Sequence, residues 1–529
     1  MSLTSIVRQI CPTCKKIAVE QSRLKLGKTL IIKLACGHIL HSEVLSASED
    51  SYSSIVFSDG CKPRPYQIDA IKFVEQSNVR CIIADEQGLG KTIESSGILR
   101  LHSAKLLPAV IVCPSTVKLQ WMHELHRIVN TDKRKMLIQV IQSGKEACMP
   151  GFDIYVITYD MLKKEDIFRF LPTGTVKTLI IDECQRIKNH LSERAKAVQR
   201  IGRITPHIIA MSGTPIKNNA GEYFTVLNLV KPTMFPHYQK YIDNYCDAYD
   251  NGWSQKIGGL KDADRFHEDT KDIIIRRTKA EVLKDLPSID RKFHHVELDR
   301  KLNKAYEAAM KELDDLLYSG DGTEFEKATN TIAIMGKLRH ITGISKVSEC
   351  IDYTTEFLLS TDRKIVIFVH HQDVMEMIKT QLDSWCVEGG FGKTLVLHSG
   401  LDGNKRSALV DTFKNDSNSR IMIASTLAAG EGLNLQFCSD AIILERQWNP
   451  ANEEQVEGRF HRFGQLNNVS ITYMLASGTI DEYFTELVEI KRSIVAATLD
   501  NKTIAWNQQS LMKELAEMLV TKGRKAWKL

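Results

Sequence analysis

The 529-residue sequence has no long hydrophobic run and no segment typical of a secretion signal. No apolar stretch reaches the roughly 18 residues that cross a bilayer. The first residues also lack a charged segment followed by an apolar stretch and a cleavage site. We therefore expect no membrane association and an intracellular protein, in the cytoplasm or nucleoid of a prokaryotic or viral setting or in the nucleus of a eukaryote.

The sequence also lacks a disulfide-type cysteine pattern and a strong net charge. Its 12 cysteines are spread along the whole chain, whereas disulfide frameworks belong to short secreted proteins. The formal net charge of +5 is modest, so total charge neither identifies nor excludes a nucleic-acid partner. Because single cores stop growing at about 250–300 residues, we expect three or four structural units.

Two regions show short β-branched runs that alternate with polar, helix-like stretches, which is the pattern of a parallel sheet covered by helices. In the first region the runs are residues 79–84, 109–113, 154–159, 178–181 and 208–211. In the second region they are residues 364–369, 394–398, 420–424, 441–445 and 470–475. The predicted fold class is α/β, with two parallel-sheet lobes and helical insertions.

The predicted domain boundaries follow these changes of pattern. They are residues 1–60 for a cysteine-containing N-terminal module, 61–215 for the first lobe, 216–350 for a helical insertion, 351–485 for the second lobe and 486–529 for a helical extension.

Residues 88–92 (GLGKT) follow an apolar strand and precede a helix-like stretch, the context of a phosphate-binding loop. Gly88 and Gly90 let backbone N–H groups approach the phosphates of ATP, the Lys91 ammonium neutralises β and γ oxygens, and the Thr92 hydroxyl ligates Mg²⁺. The strict loop pattern has glycine where this chain has Asp85.

A second motif, residues 182–185 (DECQ), follows another predicted strand. The carboxyl ends of parallel strands meet at one edge of a sheet, so this motif and the phosphate loop should face the same crevice. Asp182 would hold Mg²⁺, and Glu183 would orient and deprotonate the attacking water. The structural alternative is a pair of carboxylates that only caps the following helix.

A third motif, residues 455–462 (QVEGRFHR), lies in the second region. Arg459 and Arg462 are three residues apart and would share one face of a helix. Guanidinium groups suit the charge that develops on a γ-phosphoryl group, so we predict that both arginines reach the ATP held by Lys91. The alternative is a surface helix whose arginines pair with its own glutamates.

These motifs, in this order, resemble superfamily two nucleic-acid motors, and more narrowly the Swi/Snf family of DNA translocases. The resemblance runs from about residue 62 to 490, and residues 338–343 (LRHITG) resemble its compact, annealing-helicase-like branch. The further motifs that carry it are residues 64–67 (RPYQ), 85–92 (DEQGLGKT), 113–115 (CPS) with Trp121, 157–159 (ITY), 212–215 (SGTP), 275–279 (IRRTK) leading to 286–287 (LP), 398–400 (HSG), 425–434 and 448–450 (WNP).

The resemblance implies two RecA-like lobes and ATP hydrolysis stimulated by duplex DNA. It implies adenine recognition by Gln67, and it makes Asp85 an ordinary residue of the family's phosphate loop. Many members have histidine at the place of Gln185, so the nucleotide contact of Gln185 stays open. The DNA would be held through its phosphates with strong salt dependence, and the candidate contacts are Lys118, Trp121, Thr158 and Asn434.

The N-terminal module has cysteine and histidine spacing typical of a structural zinc site. The candidate Zn²⁺ ligands are Cys11, Cys14 and Cys36, with His38 or His41 as the fourth and Cys61 as a remote option. Redox chemistry or ordinary exposure could also explain the CxxC pair. The surrounding basic residues suit either DNA contact or a solvated face of a purely structural, zinc-ribbon-like module.

The leading hypothesis is an ATP-dependent translocase on double-stranded DNA that removes proteins or remodels forks and branched DNA. It would act as a monomer, with an unknown protein to recruit it. The second hypothesis is a strand-separating helicase or a restriction-like motor subunit. The third is a zinc-containing DNA-binding scaffold with a regulatory ATP site.

Overall fold

The computed structural model describes residues 8–10, 17–26, 29–43, 45, 47–130, 135–213, 219–250, 255–318, 324–398, 400–401, 403–426, 433–447 and 450–485. The described residues divide into two compact units, one ending at Lys284 and the other starting at Asp285. Within these ranges no helix is both long and apolar enough to cross a membrane. The predicted extension at residues 486–529 lies outside them.

The first unit begins with a four-stranded antiparallel sheet in which the strands follow one another in chain order. Its strands are β1 (Arg8–Ile10), β2 (Ile17–Leu26), β3 (Thr29–Leu34) and β4 (Ile39–Glu43). Ile10 pairs with Ile17, and Lys33 pairs with Ile39. Successive connections of such a meander alternate between its ends. The chain therefore leaves β1 and β3 at the same end of the sheet.

A seven-stranded parallel sheet forms the centre of the first unit, in the order β13-β5-β10-β9-β6-β8-β7. The strands of this region are β5 (Arg80–Ile83), β6 (Ala109–Cys113), β7 (Ile138–Val140), β8 (Ile154–Thr158), β9 (Thr178–Asp182), β10 (His207–Met211), the separate antiparallel pair β11 (Cys246–Asp250) and β12 (Gln255–Leu260), and β13 (Ile274–Ile275). The inner strands are almost fully buried, because helices cover both faces of a parallel sheet.

Helices surround this sheet. They are α1 (Glu49–Ser53), α2 (Pro65–Gln76), α3 (Lys91–Leu101), α4 (Ser103–Leu106), α5 (Lys118–Val129), α6 (Tyr159–Leu162), α7 (Glu193–Gly202), α8 (Phe224–Val230), α9 (Tyr238–Tyr245), α10 (Ala263–Thr270) and α11 (Lys279–Val282). Short 3-10 helices lie at Ser115–Val117, Glu165–Phe168, Cys184–Ile187 and Ala220–Tyr223.

The second unit is built on a six-stranded parallel sheet in the order β14-β19-β18-β15-β17-β16. Its strands are β14 (Ile289–Val296), β15 (Ile365–Val369), β16 (Leu395–Leu397), β17 (Ile421–Ser425), β18 (Asp440–Ile443) and β19 (Val469–Ala476). Its helices are α12 (Arg300–Tyr318), α13 (Glu324–Ser345), α14 (Val347–Ser360), α15 (Gln372–Gly389), α16 (Gly403–Asn415) and α17 (Pro450–Phe460).

The α/β class with two parallel-sheet lobes is confirmed. Every β-branched run that we singled out in the sequence overlaps a strand of one of the two large sheets. Residues 216–350, which we predicted as a helical insertion, contain helices and also the strands β11 to β14. β13 and β14 are edge strands that complete the first and second sheet respectively.

Candidate active site

The phosphate loop lies at the carboxyl end of β5 and leads directly into α3. Gly88 and Gly90 have φ of 92° and 93°, values in the left-handed region that favours glycine. A Cβ atom on Gly90 would also lie 2.4 Å from Nε2 of Gln67. Both glycines are therefore required by the shape of the loop, independently of any nucleotide.

The Lys91 ammonium is folded over this loop. Its Nζ donates to the carbonyl oxygen of Asp85 at 2.7 Å and to that of Glu86 at 3.3 Å. A triphosphate bound on the loop would offer charged oxygens to the same ammonium, and hydrogen bonds to charged acceptors are the stronger kind. Thr92 follows as the second residue of α3, where its hydroxyl is an oxygen donor of the type that Mg²⁺ accepts.

Tyr66 and Gln67 on α2 support the loop from the opposite side. The Gln67 Nε2 donates to the carbonyl oxygen of Leu89 at 2.9 Å, and the Tyr66 hydroxyl donates to the same oxygen at 3.0 Å. The Gln67 Oε1 accepts from the backbone N–H of Arg64 at 2.9 Å. In this structure Gln67 thus fixes the loop, and its recognition of adenine stays a prediction.

Asp182 is the last residue of β9, two strands away from β5 in the same sheet. The indole N–H of Trp121 donates to its Oδ2 at 2.7 Å. Burial, followed by the neighbouring charge of Glu183, raises the pKa of Asp182 to about 7, while the Trp121 hydrogen bond and the Lys91 charge act in the opposite direction. The influence of Lys91 indicates that the two motifs face one crevice.

Glu183 has a left-handed backbone with φ of 53°, a conformation that costs a non-glycine residue about 1–2 kcal/mol. Its Oε2 accepts a hydrogen bond of 2.5 Å from Nε2 of Gln185. The other amide atom, Oε1 of Gln185, is buried and has no hydrogen-bond partner among the described residues. Gln185 therefore orients the Glu183 carboxylate, a role that the sequence analysis left open.

Gly213, at the carboxyl end of β10, brings the SGTP motif against the phosphate loop. A Cβ atom on Gly213 would lie 2.4 Å from Cγ of Gln87 and 3.4 Å from Nζ of Lys91. Thr214 and Pro215 of this motif lie outside the described residues. The first sheet thus gathers Lys91, the acidic pair of β9 and Gly213 at one edge.

Three side chains that we expected to contact DNA are buried in the first unit. Lys118 is 9% exposed, and its Nζ donates to the carbonyl oxygen of Ile141 at 3.0 Å. Trp121 is 2% exposed, and the Thr158 hydroxyl caps α6. Packing and the acidic motif occupy the polar groups of Lys118 and Trp121 in this structure, so it gives no support to their direct contact with the DNA backbone, which stays a prediction.

In the second unit, Arg459 and Arg462 do not share a helix face. Arg459 lies in the last turn of α17, which ends at Phe460, so Arg462 follows the helix. Its Nη1 donates to Oδ1 of Asn434 at 2.5 Å. Asn434, another predicted DNA contact, is therefore a partner of this arginine. The shared-face argument is wrong, and the role of both arginines in hydrolysis stays a prediction.

Two of the three glutamates of α17, Glu453 and Glu457, are bound by arginines from outside that helix. Buried Glu453 accepts from Nη2 of Arg446 at 2.8 Å. Buried Glu457 accepts from Nη2 of Arg291 and from the Tyr473 hydroxyl, both at 2.5 Å. This arrangement gives no support to the alternative in which these glutamates serve only to neutralise the arginines of α17.

The predicted zinc site lies partly outside the described residues. Cys11 and Cys14 are not described, and neither is the side chain of His41 in β4. Cys36 and His38 lie in the connection between β3 and β4, and Nδ1 of His38 is buried without a hydrogen-bond partner among the described residues. The described residues contain no group of three or more candidate metal ligands, so zinc binding stays a prediction.

The sequence analysis missed the role of Arg277 at the phosphate loop. Its guanidinium forms an ion pair with the carboxylate of Asp85, which is fully buried. The available signal was the acidic residue at a position where the strict loop pattern has glycine, since a buried carboxylate requires a cation. The sequence did not indicate which cation.

Comparisons with known proteins identify the family of this chain. Residues 66–344 match the SNF2-related domain family, and residues 345–464 match the helicase conserved C-terminal domain. The chain is 28% identical over 445 residues to a SWI/SNF-related matrix-associated actin-dependent regulator of chromatin subfamily A-like protein 1 homolog of Caenorhabditis elegans, covering 82% of this chain and 61% of that protein. It is 26% identical over 472 residues to the DNA annealing helicase and endonuclease ZRANB3 of Mus musculus, covering 87% and 43%.

A solved structure, the Sulfolobus solfataricus SWI2/SNF2 ATPase core in complex with dsDNA, aligns with 87% of this chain and 96% of its own at 22% identity and a TM-score of 0.38. The chain spans only about half the length of the curated relatives it matches. The SNF2-related match covers more than half of the chain. The protein therefore belongs to the SNF2-related domain family.

Proposed function

We propose that the protein is an ATP-dependent translocase on double-stranded DNA of the Swi/Snf type. The observation that carries the proposal is the gathering of Lys91, Asp182 and Glu183 at one edge of the first sheet, where the Lys91 charge acts against the burial that raises the pKa of Asp182 to about 7. Two relatives, a regulator of chromatin and a DNA annealing helicase by name, support DNA as the partner.

The proposed hydrolysis uses groups from both units. Lys91 neutralises the β and γ oxygens of ATP, and Asp182 with Thr92 provides oxygen ligands that fit Mg²⁺, which neutralises charge on the phosphates. Glu183, oriented by Gln185, positions and deprotonates the water. Arg459 and Arg462 stabilise the charge on the transferred phosphoryl group. ATP binding and hydrolysis then change the affinity of the protein for DNA, which is the basis of movement.

ATP turnover by the full chain tests this proposal. It should be measured without DNA, with single strands, with duplex and with forked DNA, each at two salt concentrations. We expect stimulation by duplex, and that stimulation should weaken steeply as salt rises because the contacts are mainly to phosphates. Turnover that is identical with and without every DNA would refute a DNA-dependent ATPase.

Displacement assays separate the translocase from its alternatives. A translocase should displace the third strand of a triplex without unwinding a tailed duplex, whereas a strand-separating helicase should unwind the tailed duplex. A scaffold with a regulatory ATP site should bind both ATP and DNA but should not hydrolyse ATP. We further propose that the motor acts as a monomer on DNA and that its preferred substrate is a fork or branched molecule.

We also propose that the N-terminal module binds Zn²⁺. In the sequence Cys11 and Cys14 fall between β1 and β2, and Cys36 and His38 fall between β3 and β4, and the chain leaves β1 and β3 at the same end of the sheet. The unpartnered Nδ1 of His38 supports the same assignment. Thiolates and imidazole are the ligands that structural zinc prefers.

Metal analysis of the purified full chain tests the zinc site. We expect one zinc per chain in the wild type and in Cys61→Ser, a remote candidate, and loss of zinc in Cys36→Ser. Wild-type protein without zinc, or Cys36→Ser that keeps it, would contradict the proposal.

A further inference from the structure

The edge of the first sheet beside β5 continues into the phosphate loop. The backbone N–H of Ala84 donates to the carbonyl oxygen of Ile275 at 2.7 Å, and that of Glu86 donates to Arg277 at 2.9 Å. The ladder between β13 and β5 therefore extends past the end of β5. We call residues 273–279 the loop strap.

Side chains of the loop strap reinforce this backbone ladder. The Arg276 Nη1 donates to the carbonyl oxygen of Ala84 at 3.0 Å. The Glu86 carboxylate accepts from the backbone N–H of Lys279 at 2.7 Å and pairs with its Nζ at 3.2 Å. Hydrogen bonds from the main chain and from side chains of the loop strap therefore hold the first residues of the phosphate loop.

Within the loop strap, Arg277 has a side chain that contacts the phosphate loop and the helices on both sides of it. Its Nε donates to Oδ2 of Asp85 at 3.1 Å, and its Nη2 pairs with the same carboxylate. Nη2 also contacts Oε1 of Glu94 on α3 at 3.1 Å, and Nη1 donates to the carbonyl oxygen of Tyr66 on α2. One guanidinium thus joins the two helices that flank the loop and the loop itself.

Two buried carboxylates share this cluster with the Arg277 guanidinium. Asp85 and Glu94 are fully buried, and burial, then the Asp85 charge, raises the pKa of Glu94 well above its usual value. The guanidinium contacts both carboxylates, and it makes its closer contacts to Asp85. A buried ion pair is tolerated as long as both partners remain, and the loss of one partner is strongly destabilising.

We propose that Arg277 is a positioning residue that sets the nucleotide affinity of the phosphate loop through Asp85. The Asp85–Arg277 pair acts as a single unit that replaces the first glycine of the strict phosphate-loop pattern. This inference rests on the proposed ATP site and identifies what holds it in shape. Arg277 acts by fixing the loop.

The test compares single and double variants of the full chain. Steady-state ATPase kinetics with saturating duplex DNA and binding of a fluorescent ADP analogue would be measured for wild type, Arg277→Ala, Asp85→Gly and the double variant. Arg277→Ala leaves a buried carboxylate without its cation, so KM for ATP should rise by about tenfold or more, with kcat changed by less than about threefold. The double variant restores the glycine and should recover most of the lost affinity.

Arg100→Ala is the matched control, because the Arg100 Nη1 also donates to backbone carbonyls, those of Val56 and Ile128, in the same unit. Its KM should stay at the wild-type value. If Arg277→Ala does not fold, Arg277→Lys replaces it, since lysine keeps the charge and loses the guanidinium fork. It too should raise KM.

An unchanged KM in the folded Arg277 variant, or a double variant that binds no better than Arg277→Ala, would overturn the inference. A wild-type chain that binds the ADP analogue but hydrolyses no ATP would instead refute the proposed function. The binding measurements would still decide the role of Arg277 in that case.

Discussion

Burial and some of the nearby groups act in opposite directions on the pKa of the Asp182 carboxylate, which we propose as a Mg²⁺ ligand. Only the ionised form binds Mg²⁺ strongly, yet burial and the charge of Glu183 favour the protonated form and raise its pKa to about 7. The Trp121 indole, which donates to Oδ2 at 2.7 Å, favours the ionised form. The sequence indicated the carboxylate but not this buried indole, because Trp121 lies 61 residues earlier in the chain.

We predict that the Mg²⁺ requirement depends on pH. The ionised fraction of Asp182 falls as pH falls through about 7, so more Mg²⁺ should be needed for half-maximal ATPase activity at pH 6 than at pH 8, by roughly tenfold per unit well below the pKa. Trp121→Phe removes a hydrogen bond to the ionised form and should move this dependence to higher pH. Equal Mg²⁺ requirements at both pH values would contradict the raised pKa.

Glu183→Gln should abolish turnover while leaving nucleotide binding intact. The amide keeps the size of the side chain but cannot accept the proton of the attacking water, and a general base contributes typically about 10²–10⁴-fold in rate. ATPase rates and binding of an ADP analogue measure the two effects. Glu222→Gln, which changes a glutamate paired with Lys188, is the control. Retained turnover in Glu183→Gln would remove Glu183 from this role.

At the scale of elements, the sequence predicted the buried strands and missed edge strands such as β13 and β14, although it predicted the edge strand β16. Inner strands such as β6 and β15 are continuous apolar runs buried on both faces, and this pattern is readable. β14, with the sequence IDRKFHHV, is largely exposed and exists because it pairs along its whole length with β19. β13 has two residues. Local sequence does not encode pairing with a distant strand, so neither could be predicted.

The local sequence also did not predict the residue at which α17 ends. The three-residue spacing of Arg459 and Arg462 suggested one helical face, but the helix ends at Phe460. Gly464, with φ of 93°, follows in the turn, and helices commonly end near such glycines. The end of a helix can be placed only to within a residue or two. This difference was enough to leave Arg459 in the helix and Arg462 beyond its end.

A buried ion pair joins the residue before α14 to the chain after β19. Nζ of Lys346 lies 2.6 Å from Oδ2 of Asp481, and both side chains are almost fully buried. Lys346→Met should lower the free energy of unfolding of the second unit by about 3–5 kcal/mol, because it leaves the Asp481 charge buried and unpaired. Denaturant titration followed by circular dichroism measures this change.

Lys337→Met provides the comparison for that titration. Lys337 and Glu312 pair at 2.8 Å, but each side chain is about half exposed, and surface pairs contribute roughly 0–1 kcal/mol. A Lys346→Met protein as stable as Lys337→Met would show that the buried pair does not stabilise the unit.

For the molecule as a whole, the spacing of the motifs predicted that the phosphate loop and the acidic pair lie at one edge of the first sheet, but contacts between residues distant in sequence were missed. The phosphate loop, the acidic pair and the arginine motif were identified from local patterns and spacing. The Asp85–Arg277 pair joins residues 192 positions apart, and no spacing rule connects them. Long-range side-chain pairs depend on the complete fold, which local sequence does not give.

Arg459→Ala should retain ATP binding and lose turnover. Lys91 and Arg459 belong to different units of the chain, and an arginine that stabilises the transferred phosphoryl group contributes about 10³-fold or more to the rate. DNA-stimulated ATPase rates and ADP-analogue binding measure both properties. Arg363→Ala, which alters a half-exposed arginine paired with Asp440, should keep normal turnover. Normal turnover in Arg459→Ala would show that the second unit does not contribute to hydrolysis through Arg459.

The chain passes from the edge strand of one sheet to the edge strand of the other between Ile275 and Ile289. The hydrolysis proposed above needs residues on both sides of this connection, and groups joined within one chain keep their effective concentration when the protein is diluted. ATP turnover per chain should therefore be constant from micromolar to nanomolar protein. Flexible residues inserted at this crossing should slow turnover gradually as the connection lengthens.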